Sequence, residues 1–497
     1  MSKNKSARSR QNLRRAVGRW INKADHDDDR NLNLPIPTQV ISNEEYYPIA
    51  QTDEQKLVEH RLIEIADRNA KKLGLSRRQF LATSGGMAAA FMAMNSVFGK
   101  YFDVEASETF EPAAYNEKWP KKEFIFDIQT HHVSYGRNIP PLLGFRRQGG
   151  AWNPALKASV PKMEDLYLAN YIKEVFFDSD TMMAVISGFP NPIDNSNILP
   201  PPDMVETRAE INGLSKSQRI VSHGLFSPDT GLKSNLDYMS NQVENLKIQA
   251  WKGYPGQPLG PDHQGWWMDD EKLAYPVYEY SRKVGIKTIC AHKGLPLAGF
   301  NVEHCSPKDV PKAAMDFPDL NFILYHSAFK SLQDALPAAK DNFKTTSFIP
   351  WTSLICEARK KNPSMTNVYM ELGSTFGMLV ITAPLLCGHV LGMIIDAFGD
   401  DHVMWGTDSI WWGSPQWQIE AFRRFQMPEE LMKQFGYKPL TKESKEKILG
   451  LNAARIYGID VKAKRNAIPS DYVTKLKNQY KPAGNVPRNT QYGWIWG

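Results

Sequence analysis

Between residues 123 and 410 the chain repeats one pattern eight times: a short apolar run rich in strand-forming residues, followed by a stretch with helical periodicity. Strands that alternate with helices build βα units, and eight such units over roughly 250 residues close into a barrel of parallel strands. The runs are 124–131, 182–188, 219–226, 246–252, 286–292, 321–326, 367–372 and 402–408. Helices are expected over 162–177, 203–217, 232–244, 269–284, 306–316, 351–361, 384–398 and 441–457. The fold class is therefore α/β, a (β/α)8 TIM-type barrel over 123–460, with 414–440 as an extra helical insertion and 461–497 as a tail wrapping the surface.

A barrel of this kind gathers its chemistry at one end, because the C-terminal ends of all its strands open on a single mouth. Gln129, His131, His292, His326 and Asp408 each fall at such an end. Taken singly, a histidine is more often a hydrogen-bonded core residue; four strand ends that each supply a His or Asp point to one site able to hold a divalent metal ion. Along the first run the two-residue period of a strand puts Asp127, Gln129 and His131 on one face and His132 on the other. Asp127 is read as a group behind the ligands. In the fourth run the same period puts Lys247, Gln249 and Trp251 on one face, turned toward the barrel interior, with Trp251 lining the substrate pocket. Trp411 and Trp412 follow Asp408 closely and would line the mouth for a flat or apolar substrate, whereas the pair Trp266 and Trp267 sits in a long Gly/Pro loop.

Composition narrows the function. The 497 residues are 42% hydrophobic and 23% charged, ordinary for a globular chain. The formal charge of +6 arises largely in residues 1–106, with 17 Lys/Arg against 13 Asp/Glu; beyond them the balance is 43 against 41. No nucleic-acid footprint follows from that. Four cysteines, Cys290, Cys305, Cys356 and Cys387, are too few and too irregular for a disulfide framework or a Cys-rich zinc site.

The N-terminal part reads as a targeting segment. Ser76, Arg77, Arg78, Gln79, Phe80 and Leu81 precede an uncharged run, 82–98, and the pattern resembles a twin-arginine translocation signal over 76–106. The run is short and diluted with Gly, Ala and Ser, a poor permanent span. A linker is expected over 107–122, and residues 1–75 form a charged leader, flexible or partly helical, with seven basic residues and no acid in the first 20. Export in the folded state to the periplasm, through the twin-arginine machinery, is the expectation, with membrane association through an uncleaved leader left open.

The stretch 123–460 also resembles a known group, the amidohydrolase-related enzymes that include aminocarboxymuconate-semialdehyde decarboxylase and the aromatic-acid decarboxylases. The resemblance is carried by 126–131 (FDIQTH), 275–280 (YPVYEY) leading to Cys290 and His292, 367–373 (NVYMELG), 404–409 (MWGTDS) and 447–455 (KILGLNAAR). It implies a mononuclear site, commonly zinc with manganese or iron open, held by Gln129, His131, His292 and Asp408, with His326 as a nearby acid/base that works with Asp408. The group usually has His, and in some decarboxylases Glu, where Gln129 stands. A neutral amide oxygen is the weaker ligand.

The function expected is metal-dependent hydrolysis of a small cyclic or aromatic ester, lactone or amide by activated water. The alternatives are non-oxidative decarboxylation of an aromatic or unsaturated acid, or an exported binding protein with a degenerate metal site. The expected partner is a small molecule, and a homodimer is left open.

Overall fold

The computed structural model describes residues 34–36, 38, 51–137, 163–193, 197–410 and 414–480. Eight strands, β1 (Phe126–Thr130), β2 (Met183–Ile186), β3 (Ile220–Leu225), β4 (Ala250–Gly253), β5 (Thr288–His292), β6 (Asn321–Tyr325), β7 (Val368–Glu371) and β8 (Val403–Met404), lie in sequence order, each parallel to the next. The ring closes through the backbone: Ile128 donates to the Trp405 carbonyl at 3.1 Å, Asp408 to that of Gln129 at 2.9 Å and His131 to that of Ser409 at 2.6 Å. β8 is short, yet the chain beyond it keeps running beside β1 as far as Ser409. The architecture is a TIM barrel.

Strands covered on both faces read as continuous apolar runs. Inside the ring lie Phe126, Ile128, Val185, Ala250, Cys290 and Tyr325, while Ala184, Trp251, Ile289, Ala291 and Leu324 face the helical layer. The last barrel helix packs on the first strand so closely that a Cβ on Gly450 would fall 2.0 Å from the Phe124 carbonyl oxygen. The tail continues through helices Val461–Ala467 and Tyr472–Tyr480, pinned where Arg219 donates twice to Asp471, both at 2.7 Å. Residues 481–497 of the expected tail lie outside the described residues.

The fourth run needs correction. The helix before it extends over Leu232–Leu246, and Lys247 ends it in the left-handed conformation at φ 48°, so the strand begins only at Ala250. The alternation restarts there, and Ala250 and Lys252 take the inner face. Trp251 turns outward instead, close enough that a Cβ on Gly224 would meet its ring at 2.7 Å. Trp251 is therefore a packing residue and lines no pocket. Gln249 serves the sheet edge, accepting from the Ser222 amide at 3.1 Å.

The N-terminal part forms a helical layer on the barrel. Helix α1 (Asp53–Leu73) starts with a capping box of Thr52 and Gln55; α2 (Arg77–Leu81) carries the paired arginines, and α3 (Ser84–Phe98) is the uncharged run. Small residues let α3 pack tightly: a Cβ on Gly85 would lie 2.5 Å from the Thr109 carbonyl oxygen, and one on Gly86 2.6 Å from Leu81 Cα. The expected linker is folded too, with a turn at Ala106–Thr109 and a helix at Pro112–Lys118. It is ordered because it supplies partners to the insertion: Glu108 pairs with Arg424 at 2.8 Å and Tyr115 donates to Glu420 at 2.6 Å. Phe102 bridges Phe425, and Gln55 donates to the Ile381 carbonyl at 3.2 Å. Among the described residues no helix is long and apolar enough to cross a membrane. The basic segment 1–20 lies outside the described residues.

Candidate active site

β1 turns Phe126 and Ile128 inward, so the alternation expected from the sequence for Asp127, Gln129 and His131 does not hold along the whole run; its pairing with β2 slips between Asp127 and Thr130, and beyond the slip Gln129 and, just past the strand, His131 meet Asp408. Gln129 Nε2 lies 3.1 Å from Asp408 Oδ1, and His131 Nε2 lies 3.3 Å from the same oxygen. His131 donates from Nδ1 to the Ser187 carbonyl at 2.8 Å, which directs its Nε2 into the mouth. His132, on the opposite face, turns away to Thr207 at 2.8 Å. From β5, His292 meets His326 edge to face at 4.6 Å between ring centroids. His326 follows β6, donates from Nδ1 to the Gly373 carbonyl at 2.8 Å and faces Gln129 Nε2 across 3.4 Å. All five side chains are fully buried.

The backbone at these positions is unusual. His326, Ser374 and Asp408 all have positive φ, at 65°, 55° and 61°. Each such non-glycine residue costs of order 1–3 kcal/mol, which is tolerated where the surroundings over-determine the geometry. The surroundings do so here: Ser374 donates to Asp408 Oδ2, and Asp127 takes hydrogen bonds from the Thr407 amide at 3.0 Å and from the Thr407 hydroxyl. Asp127 thus holds the segment that carries Asp408.

Electrostatics separates the groups. Burial alone would raise the Asp408 carboxyl, but the hydrogen bond and charge of His131, with His326 and Ser374, bring it down to about 2. Burial, reinforced by Lys252, lowers His326 to about 4 in spite of Asp408. Burial and then His326 and Lys252 hold His292 well below its ordinary value. The ring of His326 is therefore neutral at pH 7 and able to accept a proton.

Several groups escaped the sequence reading. Lys252, on the inner face of β4, lays its ammonium 3.1 Å from the Tyr325 ring centroid and 4.8 Å from that of Tyr254. Glu371, at the end of β7, accepts from the amides of His326 at 3.0 Å and Gly373 at 2.6 Å, and burial raises its carboxyl to about 8. An aromatic wall completes the mouth: Tyr254 stacks on His292 at 4.8 Å, Phe189 meets Tyr254 at a tilt at 4.6 Å, and Phe300 stands edge-on to His292 at 5.9 Å. A signal for two of these was present, since Phe189 and Tyr254 are the centres of Gly-aromatic-Pro triplets directly after β2 and β4. Trp266 packs on Phe226 at 5.3 Å, and Trp267 meets His304 at 4.4 Å, away from the mouth. Trp411 and Trp412 lie outside the described residues.

Residues 251–459 match the family described as Amidohydrolase. That match lies within the barrel and agrees with the resemblance carried by the motifs of the chain. No curated protein matches it. Similar solved structures include an uncharacterised TIM-barrel protein from Bordetella bronchiseptica, 17% identical over 69% of this chain and 99% of that one, with a TM-score of 0.44. The 2,6-dihydroxybenzoate decarboxylase from Rhizobium is 13% identical over 68% and 99%, with a TM-score of 0.39. The 5-carboxyvanillate decarboxylase from Sphingomonas paucimobilis has the same identity, the same coverage and the same TM-score, 13%, 68% and 99%, and 0.39.

The superfamily generally uses a divalent metal, and the donors here are of the right kind: imidazoles from His131 and His292 and the carboxylate of Asp408. One further observation fits an ion: neither ring nitrogen of His292 has a hydrogen-bond partner. Buried polar atoms are rarely left so. Among the described residues no three His, Cys, Asp or Glu side chains stand together as a ready-made cage. His131 and Asp408 form a close pair, and the ring of His292 lies against that of His326.

Proposed function

We propose that the barrel mouth performs metal-assisted hydrolysis of a small cyclic or aromatic ester, lactone or amide. The observation that carries this reading is the pairing of Asp408 Oδ1 with His131 Nε2 at 3.3 Å, at the strand ends of an amidohydrolase-type barrel. His131, His292 and Asp408 would hold one divalent ion, which when bound supplies a water acidified to a pKa of about 7 and a Lewis acid for the substrate carbonyl. Asp408, fixed by Ser374, would help hold that ion, and His326, whose Nε2 faces the mouth and Gln129 Nε2 at 3.4 Å, would give up that contact to take the proton and pass it to the leaving group. Phe189, Tyr254 and Phe300 exclude water and favour a flat substrate.

One observation favours a second reading, non-oxidative decarboxylation of an aromatic or unsaturated acid. The buried ammonium of Lys252 between two tyrosine rings offers a positive charge to a substrate carboxylate. The deciding experiment is an assay of zinc-, manganese- and iron-reconstituted protein against lactones, esters, amides and aromatic carboxylates. Release of carbon dioxide without hydrolysis would select the second reading, and inactivity on every class with a full metal complement would sink both. We further propose export by the twin-arginine route, supported by the position of Arg77 and Arg78 at the start of α2, where Arg78 is exposed.

A further inference from the structure

The amide of Gln129 has two unlike ends, and its surroundings tell them apart. Nε2 lies 3.1 Å from Asp408 Oδ1 and 3.4 Å from His326 Nε2. Both neighbours are acceptors: Asp408 is a carboxylate, and His326 already donates from Nδ1 to the Gly373 carbonyl at 2.8 Å, so its neutral ring presents a lone pair at Nε2. An amide oxygen placed there would face two acceptors, so the amino group has to occupy the position. The oxygen is fixed on the other side. A Cβ on Gly373 would lie 1.9 Å from Gln129 Oε1, and one on Gly406 3.0 Å from Gln129 Cβ, so two glycines shape the slot in which the amide lies.

An N–H group cannot coordinate a cation. We propose that Gln129 is a positioning residue and not a metal ligand: its amino group ties the Asp408 carboxylate to the acceptor nitrogen of His326 and fixes the two relative to each other. The residue type follows from the geometry. A primary amide can give two N–H bonds from one atom to two acceptors, whereas an imidazole has one N–H per nitrogen and an ionised Glu has none. The amide also adds no charge, so Asp408 stays the single anionic donor of the proposed metal site. This inference rests on the reading of His131, His292 and Asp408 as ligands, and it replaces the sequence-based expectation that Gln129 is a fourth.

The test compares the parent with Gln129→Leu, which fills the slot without a donor, and Gln129→Glu, which keeps its shape. Cobalt(II) alone is the probe, read by its ligand-field spectrum, and imidazole nitrogen NMR reads His326. In Gln129→Leu the cobalt bands should be unchanged, with affinity reduced by no more than about 10-fold, the low end for a group one layer behind the ligands. Both variants should shift the Nε2 resonance of His326, which loses the N–H of Gln129, while the Nδ1–H bond to Gly373 stays. Altered cobalt bands in Gln129→Leu would overturn the proposal, as would unchanged His326 signals in both variants. A Gln129→Leu protein that fails to fold leaves Gln129→Glu to decide by the His326 signals. A parent that binds no cobalt would sink the metal-assisted function, and the His326 signals would still decide the role of Gln129.

Discussion

Two buried polar regions of this chain are built on opposite terms. In the helical layer over 53–119, polar groups are matched to partners across the interface: Glu108 with Arg424 and Trp119, Asn69 with Thr109, Tyr115 with Glu420. At the barrel mouth, groups just as buried are left unmatched, among them Gln129 Oε1 and the nitrogens of His292. A buried polar atom without a partner costs about 1–3 kcal/mol, so the mouth is maintained at the expense of stability. The layer is a structural joint, and the mouth is where polar groups are held without being matched to one another.

The contrast predicts that substitutions in the two regions act on different observables. The largest effect is expected at the mouth, where His326→Asn should keep the metal and lower turnover by about 10²–10⁴-fold, the usual worth of a positioned proton acceptor. Once a substrate is established, turnover equal to the parent would give His326 a structural role only. His292→Ala and Asp408→Ala should each remove most bound metal while the barrel stays folded, as judged by metal analysis beside circular dichroism. Full metal occupancy in both would show that the ligands are elsewhere.

In the layer the same size of change should appear as stability. Glu108→Ala leaves the buried guanidinium of Arg424 without its nearest carboxylate, a loss of about 3 kcal/mol or more in denaturant unfolding. A cost below about 1 kcal/mol, the range of exposed pairs, would mean that the layer is not docked in solution. A smaller, pH-dependent effect belongs to His132, whose burial lowers its imidazole to about 4 from an ordinary 6.5. The folded state resists protonating it, so the stability it supports is complete above pH 6.5 and is lost progressively down to pH 4, by roughly 3 kcal/mol. His132→Gln should flatten the unfolding profile over that interval, and an unchanged slope would refute the role given to burial. The smallest effect on folding is expected from Arg77→Lys with Arg78→Lys, within about 0.5 kcal/mol because Arg78 is exposed and a lysine at 77 can keep the partly exposed ion pair with Asp67. The same change should hold the protein in the cytoplasm, and undiminished periplasmic accumulation would reject the twin-arginine route.

The barrel was legible because its strands are buried on both sides and announce themselves as apolar runs. The mouth was legible because strand ends are where a barrel must place its chemistry. The failures have local causes. Trp251 was given the wrong face when the left-handed turn at Lys247 reset the alternation, a conformation that lysine itself does not signal. Glu371 and Lys252 were passed over because single charged residues inside apolar strands carry no spacing pattern. Residues 82–98 look alike in sequence whether they face lipid or a neighbouring helix, and only the partners at Thr109, Phe102 and Arg424 distinguish the two.

Closure of the ring between β1 and the segment after β8 has a consequence for the order of events during synthesis. Residues 129 and 131 leave the ribosome some 280 positions before Asp408, their mutual contact. Until that segment arrives and pairs with β1, the nascent chain holds no assembled mouth, however many of its strands have already formed. Contacts of such long sequence separation form late, after the loop-closing entropy has been met. Loading of an ion at this mouth therefore waits for the segment after β8, and a chain stalled before it has no assembled mouth.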